Sequence, residues 1–200
     1  MASAAQIQIR RAAIRLFAER GAMQVSVTDL AQAAGLARGT IYNNLRDLKD
    51  LFETVSIQLA AEMSARVAAA LSGLSEPAAR LAAGVRLHVL CAASDPEIGR
   101  FLIRFGFSAA ALREIWAGRG LADLIEGRTQ GVYDYPEDRL EFVVNFISGA
   151  TFGAIATALE RPESGAEAGM DAAERILVAL GVARSTARDQ ARAALPRLGG

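Results

Sequence analysis

This chain of 200 residues has one cysteine, one histidine, one tryptophan and five prolines. A lone Cys91 cannot close an internal disulfide, which fits a reducing compartment. His88 is the one histidine, so a tetrahedral zinc site would lack soft ligands, and no metal is expected. Scarce proline and few β-branched runs disfavour an all-β fold. No apolar run reads as long enough to cross a bilayer, so no membrane partner is expected. The first residues carry arginines inside their apolar spacing and do not read as a signal peptide, which points to the cytoplasm. Paired acids and bases and cofactor motifs are also lacking, so neither an enzyme nor a cofactor is expected.

Hydrophobic residues make up 52% of the chain. They are mostly alanine and leucine at helical spacing, which predicts an all-α protein. Net charge is zero but unevenly spread. Before Asp47, six arginines stand against Glu19 and Asp29, about +4, and the remainder is acidic by the same amount. A basic first quarter suggests that one end meets a polyanion.

Helical spacing predicts a first helix over 4–20, with Ile7, Ile14, Phe17 and Ala18 on its inward face. Gly21 is expected to end it as a left-handed cap. Ser26 and Asp29 form a capping-box pattern for a helix to 34. Gly35 makes the turn, and a third helix covers 38–45. Asp47 caps a fourth over 48–71. Beyond a break at 72–77, helices are predicted over 77–93, from Pro96 onward with Asp95 as its cap, and over 119–132, 137–160, 170–181 and 185–195. Residues 161–169 read as a loop. Two domains follow, 1–50 and 72–200, joined by the helix at 48–71; the resemblance described below implies DNA binding for the first and effector binding and dimerisation for the second.

Residues 26–52 have the layout of a helix-turn-helix DNA reader. Ala31 supplies the small residue where two helices cross. Gly35 tolerates positive φ in the turn. Ile41 packs the second helix back on the first. With LFAERG at 16–21, SVTDLAQAAGLARGTIYNNL at 26–45 and DLF at 50–52, the chain resembles the TetR family of transcriptional regulators.

The resemblance implies a recognition helix at 38–45 lying in the major groove of operator DNA. Arg38, Gly39 and Thr40 would face the DNA, with Arg38 on guanine or phosphate. Thr40 and Tyr42 match the family's phosphate-contacting hydroxyls. Asn43 can reach base edges, and Asn44 is the weaker candidate. Thr28 and its helix N-terminus would hold a phosphate. Three positions depart from the pattern. Ala37 offers no capping side chain, Leu45 replaces a phenylalanine, and Leu48 stands where a lysine is usual, with Lys49 one position later.

In the second part, His88 and Cys91 lie three apart on one helix and face a core or a cavity. The resemblance implies a cavity for a small effector. His88, Cys91, Phe101, Phe105, Trp116, Phe142 and Asn145 are the candidate lining, suited to a hydrophobic or aromatic molecule. The helix at 137–160 is apolar on two faces, so it must be covered on both. Ile147, Gly149, Ala150, Gly153 and Ala154, with Ile176 and Leu180 of the helix at 170–181, are expected to form a four-helix homodimer interface, as in the family. The function implied is a repressor released from its operator by a small ligand. Two other readings remain: a DNA-binding dimer without an effector, and an all-α enzyme using the C-terminal cavity.

Overall fold

Ser3 starts the first helix. Its hydroxyl accepts from the Gln6 N–H at 3.2 Å, and the Gln6 side chain accepts from the Ser3 N–H at 2.8 Å. This satisfies two of the donors that a helix start leaves open. The computed structural model describes residues 3–45, 47–109, 112 and 119–198. Among them are ten α-helices and no strand. They are α1 (Ala4–Arg20), α2 (Val27–Ala34), α3 (Arg38–Asn44), α4 (Leu48–Leu71), α5 (Pro77–Ser94), α6 (Pro96–Phe105), α7 (Arg119–Thr129), α8 (Leu140–Glu160), α9 (Gly165–Ala179) and α10 (Arg184–Arg192).

The caps predicted from sequence form. Ser26 and Asp29 exchange hydrogen bonds at the start of α2. Asp47 accepts from the Asp50 N–H at 2.7 Å to start α4. Asp95 accepts from the N–H groups of Glu97 and Ile98, with Pro96 at the first position of α6. Gly35 is left-handed (φ 66°, ψ 32°), and the Leu36 N–H reaches back to the Ala31 carbonyl at 3.0 Å. That geometry turns the chain from α2 into α3.

Four expectations are corrected. Ile7 is 58% exposed, whereas Ile9 is buried. Two residues apart on a helix means nearly opposite faces, roughly 200° around the axis, and the Ile9 side is the one in the core. Gly21 has positive φ (92°) but extended ψ (151°), so it ends α1 without the left-handed helical cap. The expected loop at 161–169 holds a short 3-10 turn, Pro162–Ser164, and the start of α9. Gly165 lies buried against Ala158 of α8, so tertiary packing extends α9 across Gly165 and Gly169, two residues of weak helix propensity. Finally, Glu137–Glu160 is by length and composition apolar enough to cross a bilayer, with a mean hydropathy of 1.7. In the fold, Val143, Ile147, Thr151 and Ile155 of this helix are buried, and the helix packs on α5, α6 and α9.

α5 is the centre of the C-terminal body, with α4, α6, α7, α8, α9 and α10 around it. Arg80 of α5 is buried and donates to Asp123 at 3.0 Å, to Glu126 at 2.5 Å and to the Ser75 carbonyl, tying α7 and the preceding loop to α5. A buried guanidinium needs such partners. The helix-turn-helix unit (α1–α3) joins this body through one continuous core. Phe17 of α1 meets Phe52 of α4 edge-on at 5.5 Å, and Phe52 meets Phe101 and Phe105 of α6 at 5.8 and 4.9 Å. A smaller cluster of Val67, Leu71, Ala83 and Leu87 is covered by Leu195 and Leu198 of the C-terminal tail.

Candidate DNA interface and effector domain

α3 is pinned by one residue. Ile41 is fully buried, and the positions around it turn outward. Arg38, Gly39, Tyr42, Asn43 and Asn44 are exposed, and Thr40 is half-buried. Tyr42 leaves 64% of its surface in water. Ala37 contributes no side-chain bond at the start of α3, as the sequence predicts. Gly39 sits inside the helix, where glycine costs roughly 1 kcal/mol relative to alanine. A Cβ there would meet nothing within 4 Å. No internal packing demands this glycine, and the space beside it is open. Asn44 donates its Nδ2 to the Thr40 carbonyl at 2.8 Å, so its amide is engaged on its own helix, whereas Asn43 points a full amide to solvent.

Thr28 is exposed in the first turn of α2. Lys49 is exposed in the first turn of α4, and Leu48 beside it is half-buried. The structure thus brings Thr28, Lys49 and the α3 residues to the surface of a single unit. It also trims the charge read from sequence. Arg10 pairs with Glu62 at 2.6 Å and Arg20 with Asp29 at 2.9 Å. Arg15 donates to the Ala33 carbonyl at 3.3 Å, holding the end of α2. Hydrogen bonds from Ser26 and Arg20 hold the Asp29 carboxyl below the usual carboxylate range. Arg38 makes no ion pair among the described residues, which leaves its charge available.

The expected effector residues separate into three places. His88 and Cys91 are buried on α5. His88 Nδ1 lies 2.7 Å from the Gly84 carbonyl. A carbonyl only accepts, so Nδ1 carries the proton and Nε2 the lone pair. Burial pushes the imidazole down to about 4, so the ring is neutral. Burial likewise pushes the Cys91 thiol up, with Arg66 acting weakly against it. Phe101 and Phe105 lie at the junction with α4 and α1, as described above. Phe142 and Asn145 are exposed on the outer face of α8, Phe142 at 67%, which corrects their placement in an enclosed cavity. Phe142 instead lines a surface trough of about 480 Å³ with Tyr135, Pro136, Arg139 and Phe146. Trp116 lies outside the described residues.

The expected dimer residues are also divided. Ile147, Ala154, Ile176 and Leu180 are buried within the subunit and have no surface to offer a partner, a second correction. Gly153 is exposed, and Gly149 and Ala150 are half-buried. The outward stripe of α8 is Phe142, Phe146, Gly149 and Gly153. Sequence periodicity shows both stripes of this helix; only the packing of α5, α6 and α9 tells which one is left over. Among the described residues no cluster of three or more metal-ligating side chains occurs.

Comparison with known proteins agrees with this architecture. Residues 9–55 match the model for bacterial regulatory proteins of the tetR family. Residues 76–193 match the tetracyclin repressor-like C-terminal domain. No curated protein matches the chain's sequence. Among solved structures, RolR in complex with resorcinol is 26% identical over 98% of this chain and 96% of its own, with a TM-score of 0.73. FadR from Bacillus subtilis in complex with stearoyl-CoA is 20% identical over 87% and 96%, with a TM-score of 0.68. SmeT, the repressor of the Stenotrophomonas maltophilia multidrug efflux pump SmeDEF, is 17% identical over 90% of both chains, with a TM-score of 0.66. The chain belongs to the TetR family of transcription regulators. That family and these neighbours are transcription regulators, not enzymes.

Proposed function

We propose that the protein is a cytoplasmic, homodimeric repressor that binds operator DNA through α3 and leaves it on binding a small hydrophobic or aromatic ligand. Residues 1–50 form the DNA-binding domain in this reading, with α4 as the connecting lever, and 72–200 the effector and dimerisation domain. The observation that carries the reading is α3 itself. It presents Arg38, Tyr42 and Asn43 to solvent around a glycine that no neighbour requires. Arg38 and Asn43 read base edges, while Thr28, Thr40, Tyr42 and Lys49 hold phosphates.

The dimer forms through the outer stripe of α8. Exposed phenylalanines beside two glycines suit a self-complementary contact between copies, and the trough beside Phe142 and Phe146 extends it. For the ligand, the 26% identical RolR supports an aromatic molecule. Ligand would then shift the population toward a conformer whose recognition helices no longer match successive major grooves, about 34–36 Å apart.

The test is a fluorescence-anisotropy titration against the intergenic DNA beside the protein's own gene, at two salt concentrations, with resorcinol as the first ligand probe. Tight binding that resists competitor DNA and weakens with salt is expected, because phosphate contacts release counterions. Binding that is weak and indifferent to sequence overturns the operator assignment.

A further inference from the structure

α6 reaches the DNA-binding unit by two kinds of contact. Phe101 and Phe105 stack on Phe52, which leans on Phe17. Contact of this kind is non-directional and lets helices shift against one another. Arg104, between the two phenylalanines, adds a directional contact. Its Nη1 donates to the Ala18 carbonyl at 3.1 Å and to the Glu19 carbonyl at 3.2 Å, both in the last turn of α1. Its guanidinium carbon also lies 5.9 Å from the Phe105 ring centroid.

The last carbonyls of a helix have no partner within it, and they are the negative end of its dipole. α1 has a basic residue in its own last turn, Arg20, but that side chain is bound to Asp29 of α2. The cap comes instead from a residue more than 80 positions later in the chain. Gly21 makes room for it: a Cβ there would stand 3.0 Å from the Arg104 Nη2. α1 in turn packs on α2 and α3, and Arg15 binds the end of α2. A displacement of α6 is therefore passed to α1 through a two-carbonyl grip, and from α1 to α3.

We propose that Arg104 is the positioning residue through which α6 sets the orientation of the DNA-binding unit. Its effect on operator binding rests on the DNA-reading and dimer assignments above. With the grip intact, α1–α3 move as one body with α6. Without it, α6 holds the unit by apolar contact alone, beside the Arg10–Glu62 pair that ties α1 to α4, and its tilt spreads.

The experiment uses the full chain with Cys91→Ala and a spin label at Gln32→Cys, an exposed position on α2. Arg104→Ala should broaden the label-to-label distance distribution within the dimer and weaken operator binding about tenfold, the scale of one charge-assisted hydrogen bond. The dimerisation constant should stay unchanged. Arg104→Lys, which keeps the charge but loses the fork, should fall between the two. Amide exchange over residues 18–36 tests the grip whatever the oligomeric state, and should speed up in Arg104→Ala. Unchanged exchange and unchanged width in that variant overturn the proposal. Failure of the unsubstituted protein to dimerise or bind its operator sinks the DNA and dimer assignments instead, while the exchange comparison still decides the grip.

Discussion

Arg38, Tyr42 and Asn43 stand in water on α3, while Arg80 and His88 are closed in on α5 at 5% and 7% exposure. The residue types are similar, but their surroundings oppose each other. On α5, each polar group has an internal task. Arg80 binds two carboxylates and a carbonyl, and His88 binds the Gly84 carbonyl. On α3, Asn44 turns its side chain back on its own helix, and Arg38, Tyr42 and Asn43 face outward. Polar groups satisfied inside speak of stability and of a protected interior. Polar groups left outside, around a helix glycine with nothing near it, speak of a partner. The outer stripe of α8 is a third case: it is apolar and exposed, so it calls for an apolar cover.

The sharpest way to break this comparison is to charge the α8 stripe. Phe146→Asp should weaken the dimer by about 3 kcal/mol, or roughly 100-fold, because an unpaired carboxylate would be buried. Sedimentation equilibrium measures it. A dimer of unchanged strength would mean that this stripe is not the contact.

Next in size is the buried histidine. The unfolded chain takes up a proton on His88 near pH 6.5, and the folded chain only near 4. A lowered folded value means that stability is full above about pH 6.5 and declines as pH falls toward 4. The loss should be about 2 kcal/mol between pH 6.5 and 5. Denaturant unfolding at these two pH values reads it, and His88→Gln should flatten the slope by one proton.

On the outward side, Arg38→Ala and Tyr42→Ala should each reduce operator affinity by about 1–2 kcal/mol with melting temperature unchanged. Equal affinities in both would remove α3 as the reader. The smallest effect is the most diagnostic. Gly39→Ala should raise stability by up to about 1 kcal/mol, because nothing inside the protein meets the new Cβ, yet it should weaken DNA binding. A variant that gained stability and kept full affinity would show the glycine to be incidental.

Much of the N-terminal unit was legible before the structure. Ser26, Asp29, Gly35 and Asp47 act through neighbours within a few residues, and their caps and turn form where local chemistry puts them. Ile41 at its offset from Gly35 was legible for the same reason. Ile7 was misread because helical spacing offers two registers, and only the helices packed against α1 choose between them. Arg104 gave no signal at all: the carbonyls it grips lie more than 80 residues away. That Phe101 and Phe105 meet Phe52 was not legible either, because aromatic residues alone do not say which helix they meet.

The sequence by itself determined an all-α chain, the helix starts at Ser26, Asp47 and Asp95, and the α2–α3 turn. Each follows from hydrogen bonds and backbone angles confined to a few neighbouring residues. The tertiary structure alone decided which stripe of α8 stays uncovered and which arginines of the first quarter are already paired. It also decided that Ile147, Ala154, Ile176 and Leu180 are closed in, and that α1 is capped from α6. Those outcomes depend on which helices meet. An amphipathic period states that a face must be covered, but it does not name the cover.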